Sequence, residues 1–529
     1  MPKILVSDKL SEAGLKILRA APGLEIDVKT ELKAEELEKV IPEYDALIIR
    51  SGTKVTASLL EKAKRLKIVG RAGIGVDNVD CAAASKYGII VENTPSGNAT
   101  TTAEQAIAMM FAVSRMVPQA TMSMKEGKWD KKSFQGRELT GKILGIVGVG
   151  NIGKIVADRA LGLKMKVIGY DPFLTAEAAA QMGLELVELD ELFRRSDYVT
   201  VHVPLTDKTK NLIDKTALSK MKPGVFIINC ARGGIVSEAD LLAALESGKV
   251  GGAALDVFEK EPPPPDYALV KHPKVICTPH LGASTDEAQL NVAIEVAEQI
   301  VNYFSTGEVK NAVNFPSISA ELAKVLQPYL LLTEKLGLLQ GQLAEGSLKQ
   351  ITIEYTGDIT KYPLAPMTVC VLKGLLESSL ENVNVNYVNS PVLAKERGIK
   401  VVEAKSEDAV DFANLISVIL ETSSGKRIVS GAIFGKKNPR IVRIDDFYLE
   451  AVPEGTILVV RNFDRPGVIG NIGTLLGKNK VNISRMQLGL TRESGEALAL
   501  YNVDGHVETG VLNELKGLPN IISVKEVKL

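Results

Sequence analysis

Four histidines are the whole supply of imidazole in this chain, and their settings differ. His280 follows the apolar run VICTP and precedes LGAS, at what reads as the carboxyl end of a strand, where open α/β sheets place their ligands. His272 sits in the polar loop KHPK, His506 lies in the C-terminal region, and His202 ends VTVHVP at the cofactor end of its strand. Oxidising a hydroxy acid by hydride transfer needs a base near neutrality to take the hydroxyl proton, so His280 is the candidate acid/base. Glu261 precedes four prolines, which stiffen the chain in an extended form and hold the carboxylate where it is put. Paired with His280 it would fix the imidazole tautomer and leave the other nitrogen for the substrate. Arg232 follows VFIINCA and precedes two glycines, a guanidinium at a sheet edge with little bulk around it. Its planar fork matches a substrate carboxylate and a developing carbonyl oxygen. Cys230 stands close by, but no group that would activate a thiol is identifiable, and it reads as a small buried strand-end residue.

Hydride chemistry also needs an acceptor. VGVGNIG at 147–153 follows the strand-like KILGI and opens the helix KIVADRALGL, after which KVIGY ends in Asp171. Gly148 permits a tight turn, Gly150 lets the backbone approach a pyrophosphate, and Gly153 lets helix and strand pack closely. The helix start faces the phosphates with free amides. Asp171, 18 residues past Gly153, is spaced to accept hydrogen bonds from the adenosine ribose, and its charge repels the extra phosphate of NADP. NAD is therefore the expected cofactor.

Two further cations end strand-like runs near the N-terminus: Arg50 closes DALIIR and Arg71 closes KIVGR. The stretch GRAGIGVDN then exposes several backbone amides with little side-chain cover, a cradle for an anion. If both arginines face the cleft, the substrate carries more negative charge than one carboxylate provides.

The elements that must hold these residues follow from the pattern. At 529 residues and 45% apolar composition, the chain has material for about three or four domains. Lysine and arginine number 63 against 64 acidic residues, a net charge of −1 that gives no general attraction to nucleic acid or an anionic membrane. No stretch approaches the apolar length of a membrane span, and the N-terminus lacks a secretory leader pattern, so the chain reads as cytoplasmic. The four cysteines form no CxxC pair, which argues against a disulfide framework or a zinc site, and no metal is expected. Strand-like runs alternate with helical patterns through KILVSD, DALIIRSG and KIVGRAG, then again from KILGIVGVG to VICTPHLGAS, the mark of two parallel sheets with helices on their faces. Between them one long helical stretch is expected over 102–129, and another helix near 285–308. Past the linker VNFPSIS the texture changes. A leucine-rich helix over 320–345 and antiparallel strands at ITIEYTG, NVNVNYV, RIVSGAIFG and RIVRIDDFYLEAV are expected. The last 75 residues or so read as a βαββαβ sandwich: TILVVRNF, PGVIGNIGTLLGKNK, ISRMQLGLTR, EALALYNVDG, ETGVLNELKG and IISVKEVKL.

With these motifs in view, the chain resembles the D-isomer-specific 2-hydroxyacid dehydrogenases, and most closely their long-form D-3-phosphoglycerate dehydrogenase branch. The resemblance runs the whole length, on RAGIGVDNVD, NTPSGNATTTAEQ, VGVGNIG, NCARGGIV, ALDVFEKEPP and TPHLGAST. It implies an α/β fold with a discontinuous flavodoxin-like substrate domain (1–97 and 286–316) around a Rossmann NAD domain (98–285). An α+β intervening domain (317–453) and a ferredoxin-like ACT domain (455–529) would follow. It implies His280 as acid/base, Glu261 as its partner and Arg232 as the orienting cation. Cofactor contacts would come from Gly148, Gly150, Asn151, Ile152, Gly153, Asp171, Cys230, Ala231, Arg232, Asp256, His280, Gly282 and Ala283. Substrate contacts would come from Arg50, Ser51, Arg71, Gly73, Asn98 and Lys131. Lys131 stands where some relatives have arginine, and Ile74 where some have a cofactor-touching threonine. By the same resemblance Asn462, Asp464 and Asn482 would bind an amino-acid effector, L-serine, between domains of two subunits in a homo-oligomer, dimer or tetramer. The implied activity is oxidation of 3-phosphoglycerate in serine biosynthesis. A dehydrogenase for 2-oxoglutarate or glyoxylate chemistry, and an NAD-sensing corepressor-like protein, are the alternatives. In the intervening domain, Lys436, Lys437 and Arg440 form a basic turn that reads as solvated.

Overall fold

A computed structural model describes residues 1–318, 320–380, 384–407, 412–490 and 495–529. The first sheet has five parallel strands, β1 (Lys3–Val6), β2 (Glu25–Val28), β3 (Ala46–Ile49), β4 (Ile68–Arg71) and β5 (Ile90–Asn93), in the order β2-β1-β3-β4-β5. That is the flavodoxin-like order, whose reversal point lies between β1 and β3. Ile4, Leu5, Val6, Leu47, Ile48 and Ile49 are almost wholly buried, as strands covered on both faces require. One covering helix, Asp286–Thr306, comes from far along the chain and lays Val292, Ala293, Val296 and Ile300 on this sheet.

The second sheet has seven parallel strands: β6 (Ile143–Val147), β7 (Lys166–Tyr170), β8 (Glu185–Leu186), β9 (Tyr198–Val201), β10 (Val225–Asn229), β11 (Val250–Leu255) and β12 (Val275–Cys277). Their order, β12-β11-β10-β9-β6-β7-β8, is that of a Rossmann sheet extended by one strand, with its reversal between β6 and β9. The helical stretch expected over 102–129 is two helices, Ala99–Arg115 and Val117–Lys125. Met116 between them is left-handed at φ 51°. Pro118 has no amide to donate and would clash with the carbonyl one turn back, so a continuous helix is broken there. The Ser114 carbonyl instead accepts from the Arg137 amide at 2.9 Å.

The third sheet is mixed: β13 (Leu348–Gly357), β14 (Lys400–Ser406), β15 (Asn414–Thr422), β16 (Gly425–Phe434), β17 (Asn438–Ile444) and β18 (Phe447–Ala451), ordered β14-β13-β15-β16-β17-β18. Two expectations need correcting. NVNVNYV is not a strand over its described residues 384–388; Asn382 and Val383 lie outside them. The Asn386 side chain accepts from the Val388 and Asn389 amides, and Asn389 accepts from Asn386 N, so side chains claim the donors a ladder would use. The strand is KVVEAKS further on, and it pairs with β13 in parallel, so the sheet is not purely antiparallel. The helix Ala320–Leu343 packs Leu332, Leu336 and Leu339 on this sheet.

The last sheet, β19 (Thr456–Phe463), β20 (Ile483–Leu490), β21 (Glu496–Val503) and β22 (Ile521–Lys528), is antiparallel between neighbours in the order β20-β21-β19-β22, with helices Val468–Lys478 and Thr509–Lys516. This is the ferredoxin-like arrangement. Thr491 and Arg492, expected at the end of ISRMQLGLTR, lie outside the described residues. Gln342, in the last turn of the long helix, pairs through both ends of its amide with the Lys528 backbone, at 2.9 Å each, and so covers part of the β22 edge.

One buried acid in the first sheet has a measurable consequence. Glu92 in β5 is fully buried; its Oε1 accepts from Lys310 N at 2.7 Å and its Oε2 has no partner. Burial, with Glu308 nearby, pushes this carboxyl up to about 8 against the opposing Lys310 contacts. A folded value above the unfolded one means the native state holds an extra proton between the two. Stability therefore falls as pH rises from the ordinary carboxylate range through about 8. Glu92→Gln is expected to flatten that decline and raise Tm by a few degrees on the alkaline side. Melts at about pH 6 and about pH 9 test it, and parallel losses in parent and variant would refute it.

Candidate active site

Both parallel sheets present the carboxyl ends of their strands to one cleft. The cavity there measures about 490 Å³ and is lined from one side by Arg71, Ile74, Gly75, Asp77, Asn93 and Asn98. From the other come Asn151, Ile152, His202, Arg232 and His280. A larger hollow, of about 850 Å³, lies between the helix Val117–Lys125 and β12 and holds none of the expected catalytic residues. What singles out the smaller cavity is its chemistry. Among the described residues, the buried side-chain atoms without a hydrogen-bond partner include Arg71 Nε, Asn98 Oδ1 and His202 Nδ1, and all three residues line it. Buried polar atoms are rarely left unpaired, so this clustering marks a place for a polar ligand.

The glycine loop has the form a dinucleotide needs. Gly148 has φ +90°, and a Cβ there would stand 2.6 Å from Val203 Cγ1. A Cβ on Gly153 would stand 2.1 Å from Gly148 O, so helix and loop touch through backbone alone. At Gly150, which precedes the helix Asn151–Gly162, an added Cβ would meet nothing. The helix start carries no side-chain cap, leaving its amides open to an anion. Asp171, past the end of β7, is held by hydrogen bonds from Val149 N and Phe173 N, 2.9 Å each. The residues present therefore fit an NAD.

His280 and Glu261 meet as expected: Nδ1 and Oε2 are 2.8 Å apart. Glu261 Oε1 also accepts from Phe258 N at 3.1 Å. Burial alone would raise the Glu261 carboxyl, but the hydrogen bonds from His280 and Phe258, with Arg232 nearby, outweigh it and hold it below its ordinary value. An ionised Glu261 accepts Nδ1–H and leaves Nε2 as the basic nitrogen. His280 itself is left-handed at φ 55°. The turn is held by Asp256, fully buried, whose two oxygens accept from Leu281 N, Gly282 N and Thr278 Oγ1. Asp256 thus spends its carboxylate on the His280 loop, while Gly282 and Ala283 line the cavity. Thr102 ties this loop to the helix Ala99–Arg115 by donating to Gly282 O.

Arg232 leaves β10 through a turn in which Asn229 accepts from Ala231 N and donates to Arg232 O. Cys230 beside it is 4% exposed, and burial, then the charge of Asp256, pushes its thiol far up. A thiol held neutral is no nucleophile. Cys230→Ala is expected to keep kcat within about twofold of the parent, and a hundredfold loss in a steady-state assay would show otherwise.

On the opposite wall, Arg71 packs against Gly73, where φ is +148° and a Cβ would fall 1.8 Å from Nη1. Burial, then the like charge of Arg232, lowers Arg71 to about 10, with Arg50 adding to the effect and Asp77 opposing it. Arg50 is outside the cavity lining; its amide donates to Asp8 Oδ2 and its Nη1 to Lys9 O. Ser51 is exposed beside it. Lys131 is exposed, its Nζ 5.6 Å from the centre of the Trp129 ring, and is not among the cavity residues. His202 donates or accepts at Thr200 Oγ1, 2.9 Å away, and burial lowers it to about 4, so it stays neutral.

Three residues around these arginines were not singled out from the sequence, and of them Asp77 lines the cavity. Asp77 accepts from Arg232, Asp8 accepts from Arg50 N, Thr53 N and Thr53 Oγ1, and Asn78 donates to Arg50 O and Thr53 O. Asp8 was legible as an acid ending a strand; Asp77 and Asn78 carried only the glycine-rich loop as a signal.

In the last domain, Asn462 is 4% exposed and donates to Phe463 O, and the Asp464 amide donates to Gly495 O. Asn482 is elsewhere: it pairs with Asp504 at the opposite end of the sheet, roughly 20 Å along β19. One chain does not bring the three together, and a site sharing them needs two chains. Among the described residues no group of three His, Cys, Asp or Glu side chains is arranged for a metal, and no helix is long and apolar enough to cross a membrane.

Comparison with known proteins agrees with this architecture. Residues 107–282 match the D-isomer specific 2-hydroxyacid dehydrogenase NAD binding domain, 325–445 the D-3-phosphoglycerate dehydrogenase intervening domain, and 456–520 the ACT domain. The chain is 44% identical over 529 residues to D-3-phosphoglycerate dehydrogenase of Archaeoglobus fulgidus, covering 100% of both. It is 43% identical to the Synechocystis enzyme of that name, covering 100% of this chain and 95% of the relative. The D-lactate dehydrogenase of Aquifex aeolicus, solved with NAD and lactic acid, is 28% identical with a TM-score of 0.54, over 59% of this chain and 100% of that one. NAD is thus the cofactor of the domain that this chain shares with it. The chain belongs to the D-3-phosphoglycerate dehydrogenase branch of the D-isomer specific 2-hydroxyacid dehydrogenases.

Proposed function

We propose that this chain oxidises D-3-phosphoglycerate to 3-phosphohydroxypyruvate with NAD, the entry step of phosphorylated serine biosynthesis. The observation that carries the substrate is the pair of cations in the cavity wall: Arg71 from one sheet and Arg232 from the other line the same cavity, and Arg71 Nε is buried there without a hydrogen-bond partner. Two separate guanidinium groups facing one cavity suit a substrate with an anionic group at each end. The relatives' names supply the same substrate. Arg232 takes the substrate carboxylate and the C2 oxygen, while Arg71, with the amides of the Gly73–Gly75 loop, takes the phosphate, and Arg50 joins it by leaving Lys9 O, since it stands outside the cavity lining here. His280 Nε2 removes the C2 hydroxyl proton, and Glu261 stabilises the imidazolium that forms. NAD, when bound, supplies the acceptor for the hydride leaving C2. Asn98 and His202, with unpaired atoms in the wall, complete the polar lining.

The ACT domain supports a small-molecule effector, and L-serine, the end product, is the one proposed, held between Asn462 and Asp464 of one chain and Asn482 of another in a cytoplasmic homo-oligomer, dimer or tetramer. The test is NADH oxidation with 3-phosphohydroxypyruvate, 2-oxoglutarate and glyoxylate, each with and without L-serine. Preference for the phosphorylated acid, with inhibition by serine, is expected. Better turnover of an unphosphorylated acid would overturn the substrate, and indifference to serine would overturn the effector.

A further inference from the structure

We infer that Asp77 is a positioning residue for Arg232: it holds the guanidinium across the cleft and decides which of its edges the substrate meets. The inference rests on the reading of Arg232 as the cation that orients the substrate. Arg232 follows β10 in the seven-stranded sheet, whereas Asp77 lies in the loop after β4 in the five-stranded one, 155 residues away. Arg232 Nε donates to Asp77 Oδ2 at 2.7 Å, and Nη1 donates to its own neighbour Ala231 O at 2.6 Å. Gly75 makes room for the pair: a Cβ there would stand 1.4 Å from Arg232 Nη2 and 2.7 Å from Asp77 Oδ2, so a larger residue would displace both. A guanidinium has five N–H donors in a rigid plane. With one committed to Asp77 and one to Ala231, three donors remain for a ligand, the second on Nη1 and the two on Nη2. The cavity is lined by Gly75, Asp77 and Arg232 together, so the guanidinium stands in its wall with those donors uncommitted.

A structural role alone explains this pair poorly. Asp77 is 56% exposed and Arg232 25%, and ion pairs so open to water add little to stability. Electrostatics alone would also argue against Asp77, because an acid beside Arg71 and Arg232 weakens the pull on an anionic substrate. What the carboxylate offers is direction. Without it the long Arg232 side chain, pushed by the charge of Arg71, is free to turn away from the reacting carbon, and a misplacement of about 1 Å can cost on the order of 100-fold in rate. The pair also joins the two walls of the cleft, so the arginine is aimed when the walls stand as they do here.

The experiment compares Asp77→Ala, Asp77→Asn and Arg232→Lys in the full-length protein, by steady-state reduction of the keto acid the parent turns over best. NADH affinity from fluorescence titration and Tm are followed in parallel. Asp77→Ala is expected to lower kcat about 10- to 100-fold with a smaller change in KM, because removing the acid loosens orientation while favouring anion binding. Asp77→Asn keeps an oxygen that accepts from Nε and should recover most of that loss. NADH affinity and Tm should stay at parent values in both. If Arg232→Lys cripples turnover but Asp77→Ala does not, or if Asn rescues no better than Ala, the inference is wrong and the role of Arg232 stands. Should Arg232→Lys keep parental kcat and KM, it is the reading of Arg232 that fails, and the inference goes with it.

Discussion

His280→Asn is expected to lower kcat by about 10²- to 10⁴-fold while leaving NADH affinity within a small factor of the parent, the usual range for loss of a general acid–base. Asparagine is chosen over alanine for a backbone reason. His280 sits at φ 55°, a conformation that asparagine adopts far more readily than most side chains, so the turn built on Asp256 is kept. The imidazole is lost and the loop is not. Stopped-flow NADH binding and steady-state turnover separate the two outcomes. Turnover within tenfold of the parent would mean that another group takes the proton. His202 is the one other imidazole in the cavity, and burial that lowers it to about 4 leaves it a poor candidate. Glu261→Gln should give a smaller loss, since the amide oxygen can still accept from Nδ1 but no longer offsets the imidazolium charge.

The second large effect separates two glycines of one loop. Gly153→Ala inserts a methyl 2.1 Å from the Gly148 carbonyl oxygen, a backbone atom that cannot swing aside, so the helix must lift from the strand it packs on. Alanine normally stabilises a helix by about 0.5–1 kcal/mol relative to glycine, and here the sign inverts. Both Tm and NADH affinity should fall, the latter by 100-fold or more. Gly150→Ala adds the same methyl where no protein atom lies within contact distance, at a φ of −73° that any residue adopts. Tm should be unchanged or slightly raised, and NADH affinity alone should drop, because the methyl fills the space the pyrophosphate needs against the backbone. Calorimetry and fluorescence titration on both variants decide it. Equal behaviour of the two would mean that the empty space at Gly150 is not where the cofactor lies.

Much of this was readable from one sequence because the reasons are local. A glycine-turn-helix after an apolar strand, an acid ending the next strand and alternating strand and helix patterns are short-range steric facts. They led to two parallel sheets, the NAD loop and the ferredoxin-like end of the chain without knowledge of any distant contact. The pairing of Glu261 with His280, only 19 residues apart, was within the same reach. The misreadings were also local in origin. The segment 102–129 has helical periodicity on both sides of Met116, but Pro118 ends the first helix. NVNVNYV alternates like a strand, yet its asparagines hydrogen-bond their own backbone in place of a neighbour's.

The tertiary structure decided what depends on how separate sheets are set against each other. The meeting of Arg232 with Asp77, the sharing of one cavity by Arg71 and Arg232, and the spending of Asp256 on the His280 loop join residues from different strands, and no periodicity encodes their distances. The same holds for the effector candidates: the resemblance names Asn462 and Asn482 for a site between two subunits, and it is the strand order of the last sheet that puts them at opposite ends of one chain's sheet. Residue identity determined which chemistry this protein can do, because side-chain donors, acceptors and charges are properties of the residue. Packing determined where that chemistry is aimed, because hydrogen bonds act over about 3 Å and only the folded chain sets separations that small.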